Sequence, residues 1–281
     1  MDAYAAKLRA ALPPFFNPLE IVERVPTTMA RAAELAAAGA PAGTTVVAEE
    51  QTEGRGRLGR SWVAPPGTGL LVSVLLRPPL LTSELWRVTS LAGVALVDAI
   101  RELAGERPVH PRVGLKWPND LLLDGRKAAG LLAEAGAVGG RPAWVALGMG
   151  VNVSQTRDDF PGEVADRATS VALATGAPVD RAELLGAWGR RFEEGYGRLL
   201  AGQAPALLAA YRDRLETLGQ QVRADRLAGE PVVGTAVELT AGGRLVILTS
   251  SGARVEIATA DVQHLVPLPA HPNGNGHAVG D

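Results

Sequence analysis

Directly after the run Gly54-Arg55-Gly56-Arg57-Leu58-Gly59-Arg60-Ser61-Trp62 the chain continues Val63-Ala64-Pro65-Pro66-Gly67. That continuation decides which folds the glycines can belong to. The spacing Gly54-x-Gly56-x-x-Gly59 matches the dinucleotide-binding fingerprint, and a β-rich run, Thr44 to Ala48, precedes it. The fingerprint works only where a helix opens immediately behind it and turns its N-terminus to the pyrophosphate. Two prolines and a glycine do not open a long helix. No Gly-Lys-Ser/Thr follows either, so a Walker loop is excluded with the doubly wound fold. What survives is a glycine-jointed loop carrying three arginines, Arg55, Arg57 and Arg60. Its glycines let the backbone approach a ligand closely, and its guanidinium forks stay charged at any physiological pH. Such a loop either gathers around an anion when one arrives or stays solvated. Trp62 at its exit, an aromatic plane on which a base can stack, tips the balance toward a nucleotide.

The rest of the chain reads as a mixed α+β domain with an all-β appendage. Residues 1–20 form a short arm broken at Pro13-Pro14. A helix runs from about Thr28 to Ala38, capped by Thr27 or Thr28 and stopped by Gly39. Leu70 to Leu76 is a strand apolar enough to be buried on both faces, and Thr82 to Leu103 has helical periodicity. Short strands in hairpin spacing follow: Val113 to Trp117, Leu121 to Leu123, Lys127 to Ala135 and Ala143 to Val153. The Asp124-Gly125 dipeptide favours a tight turn between two of them. Helices occupy roughly 181–200 and 204–215. Beyond Gly219 the texture changes to β runs separated by glycine turns, at 221–224, 231–239, 245–249 and 253–257, the pattern of a small barrel. The domains expected are therefore 21–217 and 218–268, with a disordered tail at 269–281.

Composition narrows the class. With 28 basic and 30 acidic residues the chain has a formal net charge of -2, so no global charge favours DNA or an anionic membrane surface. No apolar run reaches the roughly 18 residues of a membrane span, and no secretory signal is evident. Cysteine is absent, which removes disulfides, thiolate catalysis and cysteine zinc sites. A soluble cytoplasmic protein is expected. The four histidines, His110, His264, His271 and His277, are scattered and make neither a zinc site nor a Ser-His-Asp triad.

Lys116-Trp117-Pro118-Asn119-Asp120 is the second informative run. Pro118 fixes a turn that holds Asn119 and Asp120 at a strand end. There Asp120 orients an amine, helps hold Mg²⁺, or closes an Asx-turn. Lys116 and Lys127 are separated by a hairpin and are placed to converge on one cavity. Asn152, in Gly148-Met149-Gly150-Val151-Asn152, either reads an adenine edge or serves a turn.

Four segments together, Gln51 to Trp62, Lys116 to Asp120, Lys127 to Glu134 and Gly150 to Asn152, resemble the biotin protein ligase family in order and spacing. The resemblance covers about residues 22–266. It implies a catalytic domain like that of class II synthetases and lipoate ligases, with a C-terminal SH3-like barrel. It implies that biotin and MgATP form biotinyl-5′-adenylate, whose biotinyl group passes to a lysine of a biotin carboxyl carrier domain. Thr27, Thr28, Gln51, Gly54, Arg55 and Gly130 would line the biotin pocket. Arg57, Arg60, Trp62, Lys127 and Asn152 would hold ATP, with Trp62 on the adenine. Lys127, Lys116, Arg57 and Asp120 would carry the chemistry, and Asp120 would be the one candidate metal contact. Met29 stands where the family commonly has Asn, and Thr27 where it commonly has Ser. Bifunctional members carry an N-terminal winged helix-turn-helix; with only a short arm ahead of the catalytic domain, the monofunctional form is expected, without DNA binding, as a monomer or homodimer. Lipoate or octanoate enzymes of the same fold are the alternative, and a nucleic-acid-binding regulator is a more distant one.

Overall fold

The computed structural model describes residues 2–105, 109–138 and 140–265. Its first element corrects the expectation of an arm. Asp2–Ala11 is a helix, α1, which packs on the later helix α6 and buries Leu8, Leu12 and Phe16. Burial of side chains this size stabilises by about 1.5–3 kcal/mol each, so the segment is core. Pro13-Pro14 ends the helix and does not begin a flexible stretch. Strand β1, Leu19–Val25, begins inside the supposed arm and pairs in parallel with β2, Thr45–Gln51.

Between them lies helix α2, Thr28–Ala37. Thr27 Oγ1 accepts from the N–H groups of Met29 and Ala30 at 3.0 and 3.3 Å, satisfying donors that have no intrahelical partner. Gly39, at φ +86°, takes the left-handed conformation that stops the helix. Strand β3, Gly69–Leu76, is buried at all eight positions, as its unbroken apolar run predicts. Trp86–Ala104 forms α3, preceded by a 3-10 turn at Thr82–Glu84. Four strands complete the sheet: β4 Val113–Lys116, β5 Asp120–Leu123, β6 Arg126–Val138 and β7 Arg141–Asn152. The sheet order is β1-β2-β3-β7-β6-β5-β4. Two short helices, α4 Gly162–Ala165 and α5 Val171–Thr175, precede α6 Arg181–Leu200 and α7 Ala204–Arg214.

The sheet has two unlike faces. Leu70, Val72, Val74, Leu147, Met149 and Val151 point into the main core with α3 and α6. The alternate positions face α2, because side chains in a strand alternate between faces. On that side the buried cluster among the described residues is small: Met29, Ala32, Val46 and Ala146. The α2 face is therefore the one with room for a cavity.

The C-terminal strands are β8 Gln221–Arg226, β9 Val232–Leu239, β10 Leu245–Leu248, β11 Arg254–Ile257 and β12 Ala260–His264. They form an antiparallel sheet in the order β11-β10-β9-β8-β12. No ladder joins β11 to β12 among the described residues, so the expected barrel is here an open sheet. β12 itself was not anticipated. The expected disordered tail lies outside the described residues. Among the described residues no helix is long and apolar enough to cross a membrane.

Candidate active site

The floor of the cavity follows from strand register. Gly130 faces Gly150 and Leu132 faces Gly148 across β6 and β7, which puts a strip of nearly bare backbone on the α2 face. Trp62 lies on this strip. A Cβ at position 150 would sit 2.6 Å from its ring, so only glycine permits the contact. The loop that delivers Trp62 is pinched at its base: Arg55 and Ser61 form a bridge and the Trp62 N–H donates to Gly54 O at 2.8 Å. A Cβ on Gly54 would come within 2.2 Å of Trp62 O, so this glycine is required for the pinch. The tip turns through a 3-10 segment at Arg57–Gly59. As the prolines indicated, no long helix follows.

One end of the cavity is built by α2 and β2. The Thr28 N–H and Oγ1–H both donate to Gln51 Oε1, at 2.7 and 3.0 Å, and Ser73 donates to Thr28 Oγ1 at 2.8 Å. Gln51 is thereby held with its carbonyl turned inward to Thr28 and its amide nitrogen left over. Thr27 is spent on its cap. Met29, Leu132 and Gly148 close this end with apolar surface.

The other end is ionic. Lys116 and Asp120 face each other across the β4–β5 hairpin. Lys127 Nζ is 2.7 Å from Asp120 Oδ1 and 5.6 Å from the centre of the Trp62 ring. Burial draws the Lys116 ammonium below the usual lysine range, against the opposing pull of Asp120 and Asp261. A cationic group held this way is stabilised by an arriving anion. Arg57 reaches Asn119 Oδ1 at 3.3 Å and Ala260 O at 3.4 Å, and Arg60 forms an ion pair with Asp261. The loop is thus clasped on one side by the Asn119 turn and on the other by β12.

Thr27, Thr28, Gln51, Arg55, Arg57, Arg60, Trp62, Lys116, Asp120, Lys127 and Gly130 all line this one cavity. Gly54 and Asn152 do not line it. Asn152 is buried, donates to Thr169 O at 3.1 Å and accepts from Gln155 at 3.1 Å. The structure uses it to tie β7 to the segment before α5. Trp62, expected to face an adenine, has its ring against the glycine floor. A second, more open cleft shares Arg60, Lys116, Asp120, Lys127 and Asp261, and continues past Gly125, Val164, Arg167 and Ala168 to His264. The two clefts meet at the lysines. Lys127 is also fixed through its backbone, donating to Arg167 O at 2.7 Å and accepting from the Thr169 N–H at 3.0 Å.

Sequence reading missed Asn119 and Asp261. Asn119 carried a signal, since its motif was recognised; its side chain donates to Leu131 O at 2.8 Å while accepting from Arg57. Asp261 carried none, being an ordinary carboxylate in an unanticipated strand.

The same interface sets a pH dependence. The Trp117 N–H donates to Thr217 Oγ1 at 2.9 Å, so the hydroxyl's own proton is free for His264 Nε2, 3.1 Å away. Burial, then the charges of Lys116 and Arg112, push His264 down to about 4. An unfolded histidine takes its proton near 6.5, so below that pH the unfolded chain binds more protons. Stability is expected to be complete above pH 6.5 and to fall as pH drops toward 4. Urea midpoints at pH 7.5 and 5 should differ more for the wild type than for His264→Gln; equal differences would refute the assignment.

Residues 21–152 match the Biotin/lipoate A/B protein ligase family and residues 217–265 the biotin protein ligase C-terminal domain. A biotin--[acetyl-CoA-carboxylase] ligase of Mycobacterium tuberculosis is 37% identical over 252 residues, 88% of this chain and 89% of its own length. The bifunctional ligase/repressor BirA of Bacillus subtilis is 36% identical over 84% of this chain and 71% of its own. A biotin protein ligase of Aquifex aeolicus, solved with biotin and ATP, superposes with TM-score 0.76 at 29% identity, covering 89% of this chain and all of that one. The chain belongs to the biotin protein ligase family and is an enzyme, a ligase.

Proposed function

We propose that this ligase joins biotin to ATP, forming biotinyl-5′-adenylate and pyrophosphate, and then transfers the biotinyl group to one lysine of a biotin carboxyl carrier domain. The observation that carries this reading is the meeting of two clefts at Lys116, Asp120 and Lys127 beneath the arginine loop. Biotin occupies the enclosed cleft, its bicycle toward Thr28, Gln51 and Gly130 and its carboxylate toward Lys127. The nucleotide occupies the open cleft beside Arg167 and Ala168, with its phosphates toward Lys116, Lys127 and the loop arginines.

In the first step a biotin carboxylate oxygen attacks the α-phosphorus and pyrophosphate leaves. Negative charge grows on the equatorial oxygens, where Lys127 and Lys116 are already oriented. Mg²⁺, bound with ATP, would neutralise charge on the phosphates. Among the described residues no group of three histidines or acids could hold a metal, and Asp120 is paired with Lys127. That donor set fits an ion held mainly by the triphosphate, with at most one protein carboxylate. Arg55, Arg57 and Arg60 keep the loop over the mixed anhydride and exclude water from it. In the second step the acceptor amine replaces Lys127 as the partner of Asp120, gives its proton to that carboxylate, and attacks the carbonyl carbon as AMP leaves. Positioning supplies much of this rate.

Relatives named as biotin--[acetyl-CoA-carboxylase] ligases favour biotin over lipoate. A reaction that consumes ATP and acts on a carrier protein suits an enzyme of the cytoplasm. Pyrophosphate exchange into ATP is expected with biotin and absent with lipoate or no acid. Exchange that needs lipoate instead would move the chain to the alternative reading.

A further inference from the structure

The apolar end of the enclosed cleft is shaped by one side chain that has no polar group to offer. Met29 is the second residue of α2. Its N–H is committed to Thr27 Oγ1, and its side chain lies flat on Gly148. A Cβ built at position 148 would fall 2.6 Å from Met29 Sδ and 2.8 Å from its Cγ. Around it Ala32, Val46 and Ala146 are buried, with Leu132 and Trp144 packed against them. The hydroxyls of Thr28 and Ser73 are engaged with Gln51 and with each other. At this end the cleft therefore has the Gln51 amide on one side and a thioether wall on the other.

We infer that Met29 is a specificity-determining residue, which sets the depth of the cleft and selects the substrate's ring system by volume. The inference rests on the biotin reading above. The ionic end takes the carboxylate, so the ring system lies against Met29. A wall that hydrogen-bonds its substrate rejects an analogue lacking the polar group strongly. An apolar wall discriminates by fit, about 10–200-fold for a single carbon. The thioether is flexible and polarisable, so this wall is also adaptable.

The test uses the whole enzyme and compares kcat/KM for adenylate formation with biotin and with its two ring N-methyl isomers. Wild type is expected to prefer biotin over at least one isomer. Met29→Ala is expected to shift that ratio at least tenfold toward the larger ring. The double variant Met29→Ala with Gly148→Ala places a methyl where the sulfur lay, and is expected to restore much of the preference. A merely structural role would lower the melting temperature and all rates together, leaving the ratio unchanged. A folded Met29→Ala enzyme with the wild-type ratio overturns the inference, as does a double variant that shifts further toward the larger ring. If Met29→Ala does not fold, Met29→Val makes the same test with a smaller shift. A wild-type enzyme that activates neither biotin nor its isomers overturns the biotin reading itself, a different result from an unchanged ratio.

Discussion

Replacing Lys127 by alanine is expected to slow adenylate formation by about 10²–10³-fold, the loss typical of one preorganised charge at a reacting centre. The geometry gives two reasons. The ammonium sits where the clefts meet, so its charge faces the phosphorus as that atom takes on a fifth ligand. Its departure also leaves Asp120, now 2.7 Å away, as an unbalanced negative charge beside the incoming phosphates. Single-turnover release of pyrophosphate measures the first step directly. Asp120→Asn combined with Lys127→Ala should recover part of the loss, because it removes the second effect and not the first. An unaltered single-turnover rate in Lys127→Ala would show that the charge stabilising the transition state lies elsewhere.

Arg57→Gly should damage the reaction differently, sparing synthesis of the adenylate and spoiling its containment. Arg57 is the link from the loop tip to Asn119 and to Ala260; glycine keeps the backbone free and deletes both contacts. With the cover loosened, the acyl-AMP should leave at least about tenfold faster and acylate lysines on unrelated proteins. Incubation with biotin, ATP and a bystander such as serum albumin reads this out as labelled albumin. A variant whose labelling stays confined to the carrier domain would contradict the role. The two substitutions thus separate making the intermediate from keeping it.

The residues proposed for this chemistry were legible because each sits in a short segment of unusual composition. Arginines alternating with glycines, or a proline framed by lysine, tryptophan and an Asn-Asp pair, have few uses in an ordinary core. Residues whose importance depends on distant partners were not legible. The Ala-rich helix at 2–11 has weak periodicity, and its burial depends on α6, far along the chain. Asn152 looked like a ligand contact, yet Thr169 and Gln155 already occupy its amide. Trp62 was read as a plane for stacking an adenine; in the structure its ring lies on Gly150. That it covers bare backbone depends on the register of β6 against β7, and no local pattern states that register. The sheet's two faces could be sorted only once β3 was seen between β2 and β7.

The clasp between Arg60 and Asp261 spans 201 residues of chain. A ribosome delivers Arg60 long before it delivers its partner, and domains fold in the order in which they emerge. A nascent catalytic sheet therefore has only the Asn119 side of the clasp, and both clefts lack the wall that β12 contributes. On the proposed reading the acyl-adenylate is fully enclosed only after β12 docks, so containment waits on a strand made long after the loop it fastens.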